Sequence, residues 1–175
     1  MIAWPSLWRD LDRAARHALP SCSIMLIMMV ASVPLLLPDP GAFRAAFVLI
    51  SVFFWTLYRP AALPAPVVLI LGVLLDLIGN SPLGLWAVLL LLNQAAVLAL
   101  RRVLAKQGFF LVWLALAASM VGTSGLEYLI RSLLILQFLP LGPVLIQAVI
   151  GVLLYPLLAP WLIKAHRGAA APEFA

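Results

Sequence analysis

Long apolar runs separated by short polar turns dominate this sequence and constrain what it can fold into. Residues 109–139, for example, contain only two charged side chains, Glu127 and Arg131. A transmembrane helix needs about 20 predominantly apolar residues to cross roughly 30 Å of hydrocarbon. Every backbone polar group of such a segment must also be hydrogen-bonded within it. The runs therefore predict an all-α, polytopic membrane protein.

The composition excludes a water-soluble domain. Hydrophobic residues make up 66% of the chain and charged residues 10%, whereas globular proteins carry about 25% charged residues. Lipid must therefore cover most of the surface, and no polar segment is long enough for a second, soluble domain. The net charge of +5 comes from basic residues in small, dispersed groups, which is typical of topology signals and does not favour nucleic-acid binding.

The apolar runs and the turns between them predict about six spans. The second and third runs are short, so five spans is an alternative. As a single helix, the fifth run would measure about 46 Å, so it must tilt, project beyond the bilayer or break. Its Gly-Thr-Ser-Gly sequence at 122–125 favours a break or close helix packing. The predicted spans are 19–37, 43–58, 64–78, 83–100, one that starts near 109, and 143–163.

The basic residues predict that both termini are cytoplasmic, because cytoplasmic loops of membrane proteins are rich in Lys and Arg. Only Arg44 and Arg131 then face the other side. Residues 1–18 form either an interfacial amphipathic helix or a positively charged flank, residues 19–163 a six-helix membrane domain, and residues 164–175 a flexible cytoplasmic tail. The nine cytoplasmic basic residues of the eleven in the chain are Arg9, Arg13, Arg16, Arg59, Arg101, Arg102, Lys106, Lys164 and Arg167.

Three ionisable residues at membrane depth are candidate site residues, because each costs roughly 2.5 to 3.5 kcal/mol to insert. Asp76 lies near the outer end of the third span. It either fixes the following turn or a neighbouring helix by hydrogen bonds, or contacts a ligand or a coupling proton. Glu127 and Arg131 have the i,i+4 spacing of a helical ion pair. This pair is either structural or partner-binding, or it contacts a substrate.

Arg59 and Pro60 follow an aromatic-rich run and are predicted to lie at the cytoplasmic interface. They act either as an interface anchor or as a docking site for a cytosolic partner. The sequence contains no Walker loop, zincin spacing or converging catalytic set. It therefore predicts no enzymatic activity, no cofactor and no metal site.

Residues 53–92 carry an ordered block of motifs. In the sequence FFWTLYRPAALPAPVVLILGVLLDLIGNSPLGLWAVLLLL, an aromatic-rich span ends in Tyr-Arg-Pro and a proline-led span with Gly-x-x-x-Asp follows. A Pro-Leu-Gly-Leu turn then opens the next helix. The residues that define the block are Arg59, Pro60, Gly72, Asp76, Pro82, Leu83 and Gly84. This block resembles the rod shape-determining MreD family.

The resemblance implies a non-catalytic scaffold of the inner-membrane elongation machinery. Its expected partners are MreC and, in the same assembly, RodA, a class B penicillin-binding protein and MreB, in addition to membrane lipid. The implied fold is similar to the substrate-binding components of energy-coupling-factor transporters. The alternative function is a small-molecule or lipid-binding transporter subunit. Short loops make a ligand lid hard to build, so we expect helices that receive a partner's transmembrane helix. The structural or partner-binding candidates are Arg59, Pro60, Asp76, Pro82, Gly84, Glu127 and Arg131.

Overall fold

The computed structural model describes residues 20–31, 40–137 and 139–169, with side chains as far as Trp161. Its regular secondary structure within these ranges is helical, as predicted. The proposed amphipathic helix at 1–18 and the end of the predicted tail lie outside the described residues. The helices are α1 (Pro20–Val30), α2 (Pro40–Tyr58), a 3-10 turn (Pro60–Ala62), α3 (Ala65–Gly79), α4 (Leu85–Leu104), α5 (Phe109–Ile135) and α6 (Gly142–Ala169).

Four helices are long and apolar enough to cross a bilayer, which confirms a polytopic membrane protein. They are α2, α4, α5 and the Gly142–Trp161 part of α6. Helix α3 has 15 residues, and the described part of α1 is also short. The count of six spans therefore stays a prediction. Helix α6 continues to Ala169, beyond the predicted start of the tail at residue 164.

Helix α2 is the centre of the bundle and packs on α3, α4, α5 and α6. Its side chains are buried on every face from Val48 to Leu57. A helix that is apolar all round is stable in a membrane bundle when it fills the core or faces lipid, and α2 fills the core. Helix α1 is joined to this core by Trp55, whose Nε1 donates a hydrogen bond to Ser23 Oγ at 3.1 Å. Ile24 and Met28 of α1 are buried beside it.

Helices α3 and α4 form a tight hairpin in which Gly72 faces the backbone of Ala87. A Cβ added at Gly72 would meet Ala87 Cα and would lie 2.6 Å from Ala87 N. The absence of a side chain at this position therefore sets the distance between the two helices. Such small-residue contacts are a principal way in which membrane helices associate.

A break was one of the alternatives for the fifth run, and it is absent, since α5 is one continuous helix of 27 residues. Glycine costs about 1 kcal/mol in a helix but leaves the i to i−4 hydrogen bonds intact, so Gly122 and Gly125 do not interrupt α5. The helix ends earlier than the apolar run, where Leu136 adopts a left-handed conformation with φ 54°. A Cβ added at Gly122 or Gly125 would have no atom of another described part of the chain within 4 Å. Both glycines therefore lie in open space.

The Gly72 contact predicts that Gly72→Ala destabilises the protein, because the new methyl group overlaps backbone atoms that cannot turn away. Overpacking of this kind costs about 1 to 3 kcal/mol. The measurement is the thermal unfolding midpoint of the purified protein in mild detergent. Gly125→Ala is the matched control, since it adds the same methyl group to a helix in open space and gains helix propensity. Equal midpoints for the two variants would contradict the prediction.

Candidate functional site

Most of the candidate residues converge at one end of the bundle, where α3 and α5 end and α2, α4 and α6 begin. We call it the Arg131 end. Asp76, Pro82, Gly84, Glu127 and Arg131 all lie there, on α3, on the α3–α4 turn or on α5.

Asp76 is 1% exposed and its carboxylate caps the start of α4. Oδ2 accepts a hydrogen bond from Gly84 N at 2.9 Å, and Oδ1 accepts one from Trp86 N at 3.0 Å. Helix N-termini have unsatisfied N–H groups and a positive dipole end. The carboxylate satisfies two such donors and places its negative charge beside the positive end of α4. Of the two interpretations of Asp76 that its sequence context allows, these bonds correspond to the first, in which the carboxylate fixes the following turn.

The backbone of the α3–α4 turn folds around the same aspartate. The carbonyl oxygen of Asp76 accepts from Ser81 N at 3.1 Å, and Asn80 closes α3 in a left-handed conformation with φ 50°. Leu85 N donates to Pro82 O at 3.1 Å. Gly84 has φ 92°, a conformation that residues with a Cβ rarely adopt. The Pro-Leu-Gly-Leu motif is therefore a turn that starts α4.

Glu127 and Arg131 form the ion pair that their spacing predicts, with 2.9 Å between Arg131 Nη2 and Glu127 Oε1. Arg131 Nη2 also donates to Ser81 Oγ at 2.9 Å, which joins α5 to the α3–α4 turn. Gln147 of α6 donates from Nε2 to Glu127 Oε2 at 3.0 Å and lies 3.3 Å from Ser124 Oγ. One polar network thus connects α5 with α6 and with the turn.

A cavity of about 170 Å³ lies beside this network. Arg44 of α2 lines it and is 9% exposed. The sequence patterns indicate only on which side of the membrane Arg44 lies, and they do not distinguish Gln147 from other residues. No spacing rule connects residues 44, 131 and 147, so only the packing of α2, α5 and α6 brings them together. The cavity is lined by Gly41, Ala42, Arg44, Ala45, Leu75, Gly79, Ser81, Trp86, Glu127, Arg131, Pro143, Val144 and Gln147.

Arg59 and Pro60 lie at the opposite end, apart from the other candidates. Arg59 precedes the 3-10 turn that Pro60 starts. Nearby, Arg101 Nε donates to Leu57 O at 2.8 Å, and Gln94 Nε2 donates to Leu63 O at 2.8 Å. These bonds anchor α4 to the end of α2 and to the chain between α2 and α3, so polar contacts also hold this end of the bundle together.

A second cavity, an apolar groove of about 330 Å³, lies between α4 and α5. Its lining contains several small residues beside larger apolar ones, and Asn93 of α4 belongs to the lining at 6% exposure. Ser119 Oγ donates to Asn93 Oδ1, whereas Asn93 Nδ2 has no hydrogen-bond partner among the described residues. Unpaired buried donors are costly, about 1 to 3 kcal/mol. The small residues that line the groove are Ala96, Ala115, Ala118, Ser119 and Gly122.

The contacts of the described site residues hold helices together. The described residues contain no group of three or more His, Cys, Asp or Glu side chains that could hold a metal. Asp76 and Glu127, two acids described at the Arg131 end, both accept hydrogen bonds from protein groups. The fold and site therefore define a polytopic helical membrane protein with a buried polar network at one end and an open small-residue groove on its side.

Comparison with known families identifies the class more closely. The model of the rod shape-determining protein MreD family matches residues 16–165. The chain therefore belongs to the MreD family, which implies a role in rod shape determination within the MreBCD system. No curated protein matches the sequence significantly, and no solved structure does either.

The capping geometry predicts that Asp76→Asn destabilises the protein. The amide keeps one acceptor oxygen, but its NH₂ group faces a backbone N–H and the favourable charge at the α4 N-terminus is lost. A hydrogen bond to a charged group contributes about 1.5 to 3 kcal/mol, so the unfolding midpoint in detergent should fall clearly below that of the wild type. Asp10→Asn, which removes an acid far from the α3–α4 turn in sequence, is the control. An unchanged midpoint for Asp76→Asn would contradict a capping role.

Proposed function

We propose that this protein is a non-catalytic scaffold of the bacterial cell-elongation machinery that binds MreC and supports lateral peptidoglycan synthesis and rod shape. RodA, a class B penicillin-binding protein and MreB belong to the same proposed assembly. Membership of the MreD family supports this proposal. The proposal includes an inner-membrane location with six spans, both termini in the cytoplasm, and a fold similar to the substrate-binding components of energy-coupling-factor transporters. The strong bias of basic residues toward one side supports that orientation.

The observation that carries partner binding is the α4–α5 groove. Membrane helices associate mainly by close packing, for which small residues are required at the interface. On α5, Ala118 and Gly122 are one turn apart and both line the groove. Since a Cβ at Gly122 would meet nothing, the backbone of α5 is open to the approach of another helix. We propose that the transmembrane helix of MreC packs here.

The unpaired donor of Asn93 favours a protein helix over an acyl chain in this groove. A lipid chain cannot accept a hydrogen bond, whereas a partner helix can offer a serine, threonine or amide oxygen. Interhelical hydrogen bonds of this type contribute about 0.6 to 2 kcal/mol in membranes. Asn93 Nδ2 is covered in the unbound protein, so a partner helix would reach this donor only after a rearrangement of the groove lining.

The groove predicts that Gly122→Ile reduces the amount of MreC that co-purifies with this protein from membranes in mild detergent. The isoleucine side chain would fill the space that the partner helix needs, so we expect a loss of about ten-fold or more, equivalent to about 1.4 kcal/mol. The matched control is Gly125→Ile. It adds the same side chain one turn away on α5, also in open space, but outside the groove lining.

Two negative results of this experiment have different meanings. Absence of MreC from the wild-type preparation would contradict the proposed function itself. Equal recovery of MreC with Gly122→Ile, Gly125→Ile and wild type would contradict only the groove as the contact surface.

A further inference from the structure

We propose that the cavity at the Arg131 end binds a phosphate group. This site goes beyond the scaffold function and does not depend on MreC binding. It uses a different surface from the α4–α5 groove, and its lining comes from α2, α3, α4, α5 and α6.

The first argument is the charge of the lining. Two guanidinium groups, Arg44 and Arg131, face the cavity, and its described lining contains one carboxylate, Glu127. Both oxygens of that carboxylate already accept hydrogen bonds or ion-pair contacts, one from Arg131 and the other from Gln147. The described lining therefore carries two positive charges and one negative charge, which favours an anion over a cation.

Arg131 has donor capacity beyond its observed contacts. Its Nη2 is engaged by Glu127 and Ser81, while its Nε is buried without a hydrogen-bond partner among the described residues. Arginine presents five N–H donors in a planar fork that matches phosphate oxygens. The Arg131 side chain is 33% exposed and lines the cavity, so a phosphate oxygen there would accept from the accessible edge of the fork and not from the buried Nε.

The second argument is the direction of the helices. Helices α2 and α6 both begin at the cavity, which Gly41 and Pro143 of their first turns line. Helix α6 has no acidic residue in its first turn. Helix N-termini carry a partial positive charge and are common binding sites for phosphate. The third helix that begins at this end, α4, already has the Asp76 carboxylate at its N-terminus.

The arrangement fits phosphate better than a carboxylate. The positive groups reach the cavity from α2, α5 and α6, that is, from several directions around one volume. A carboxylate has two oxygens in one plane, whereas a phosphate presents three or four oxygens in a tetrahedron and accepts from all these directions. The volume of about 170 Å³ also accommodates a phosphate with the first atoms of an ester substituent.

Phosphate at this place has two possible sources, an anionic lipid headgroup or free phosphate. The cavity lies at the ends of the apolar helices, where the headgroup region of a bilayer would lie. Both sources present the same oxyanion to Arg44 and Arg131. The two arms of the experiment distinguish them.

The first arm measures the thermal unfolding midpoint of the detergent-purified protein with sodium phosphate or with sodium chloride at equal ionic strength. A ligand that binds only the folded state raises the midpoint, so phosphate should raise it more than chloride does. The second arm uses native mass spectrometry of protein from nanodiscs that contain phosphatidylglycerol and phosphatidylcholine. Selective retention of phosphatidylglycerol would identify the headgroup as the source and would also support the site.

Two variants test the location. Arg131→Gln should weaken phosphate or phosphatidylglycerol binding by about ten-fold or more, the effect of losing one charge-assisted hydrogen bond. Val144→Phe keeps every charge but fills the cavity, and it should have the same effect even if Arg131→Gln folds poorly. The control is Arg102→Gln, which removes an equal charge from an exposed position at the other end of α4.

Three outcomes would overturn the proposal. These are equal stabilisation of the wild type by phosphate and chloride without selective phosphatidylglycerol retention, unchanged binding in both cavity variants, and an equal loss of binding in Arg102→Gln. The last outcome would mean that general electrostatic attraction, and not this cavity, holds the anion.

Discussion

The carboxylate of Asp76 determines how one end of this bundle is built. By accepting from Gly84 N and Trp86 N, it fixes where α4 starts relative to α3. The short turn then holds Ser81 beside Arg131, and through Arg131 the turn is joined to Glu127 and α6. A charge that is costly in a membrane is thus stabilised by helix N-terminal donors, and the position of the whole polar network follows from it. Removing this charge would therefore loosen the α3–α4 turn itself.

The sequence predicted the parts of the fold that depend on local patterns. Apolar run length predicted the helices from α2 to α6, and the Asn80 to Gly84 turn was visible as a cluster of turn formers. The i,i+4 spacing predicted the Glu127–Arg131 ion pair, because helix geometry alone brings such residues together. The break at 122–125 was a wrong alternative, since glycine lowers helix propensity but does not remove a backbone hydrogen bond. Of the four residues, Gly122 and Gly125 lie in open space on α5, whereas Thr123 and Ser124 are buried.

The cavity could not be predicted from the sequence, because it depends on three-dimensional packing. Arg44 and Gln147 are separated from Arg131 by long stretches of chain, and only the contacts of α2 with α6 and of α5 with α6 bring them to one place. A signal was nevertheless present. Arg44 and Arg131 were the two basic residues that did not follow the cytoplasmic bias. In the proposed orientation the positive-inside rule does not account for these two arginines, so they are candidates for another role.

Helix α5 carries residues of both proposed sites, which gives them a physical relation. Thr123 lines the groove, while Glu127, one turn further on the same helix, lines the cavity. Because α5 is uninterrupted between them, a shift of α5 caused by a partner helix at the groove would also move Glu127 and Arg131. Any effect of one ligand on the affinity of the other must be reciprocal. Gln147 and Ser81 oppose such a shift of α5, because their hydrogen bonds hold this end of the helix to α6 and to the α3–α4 turn.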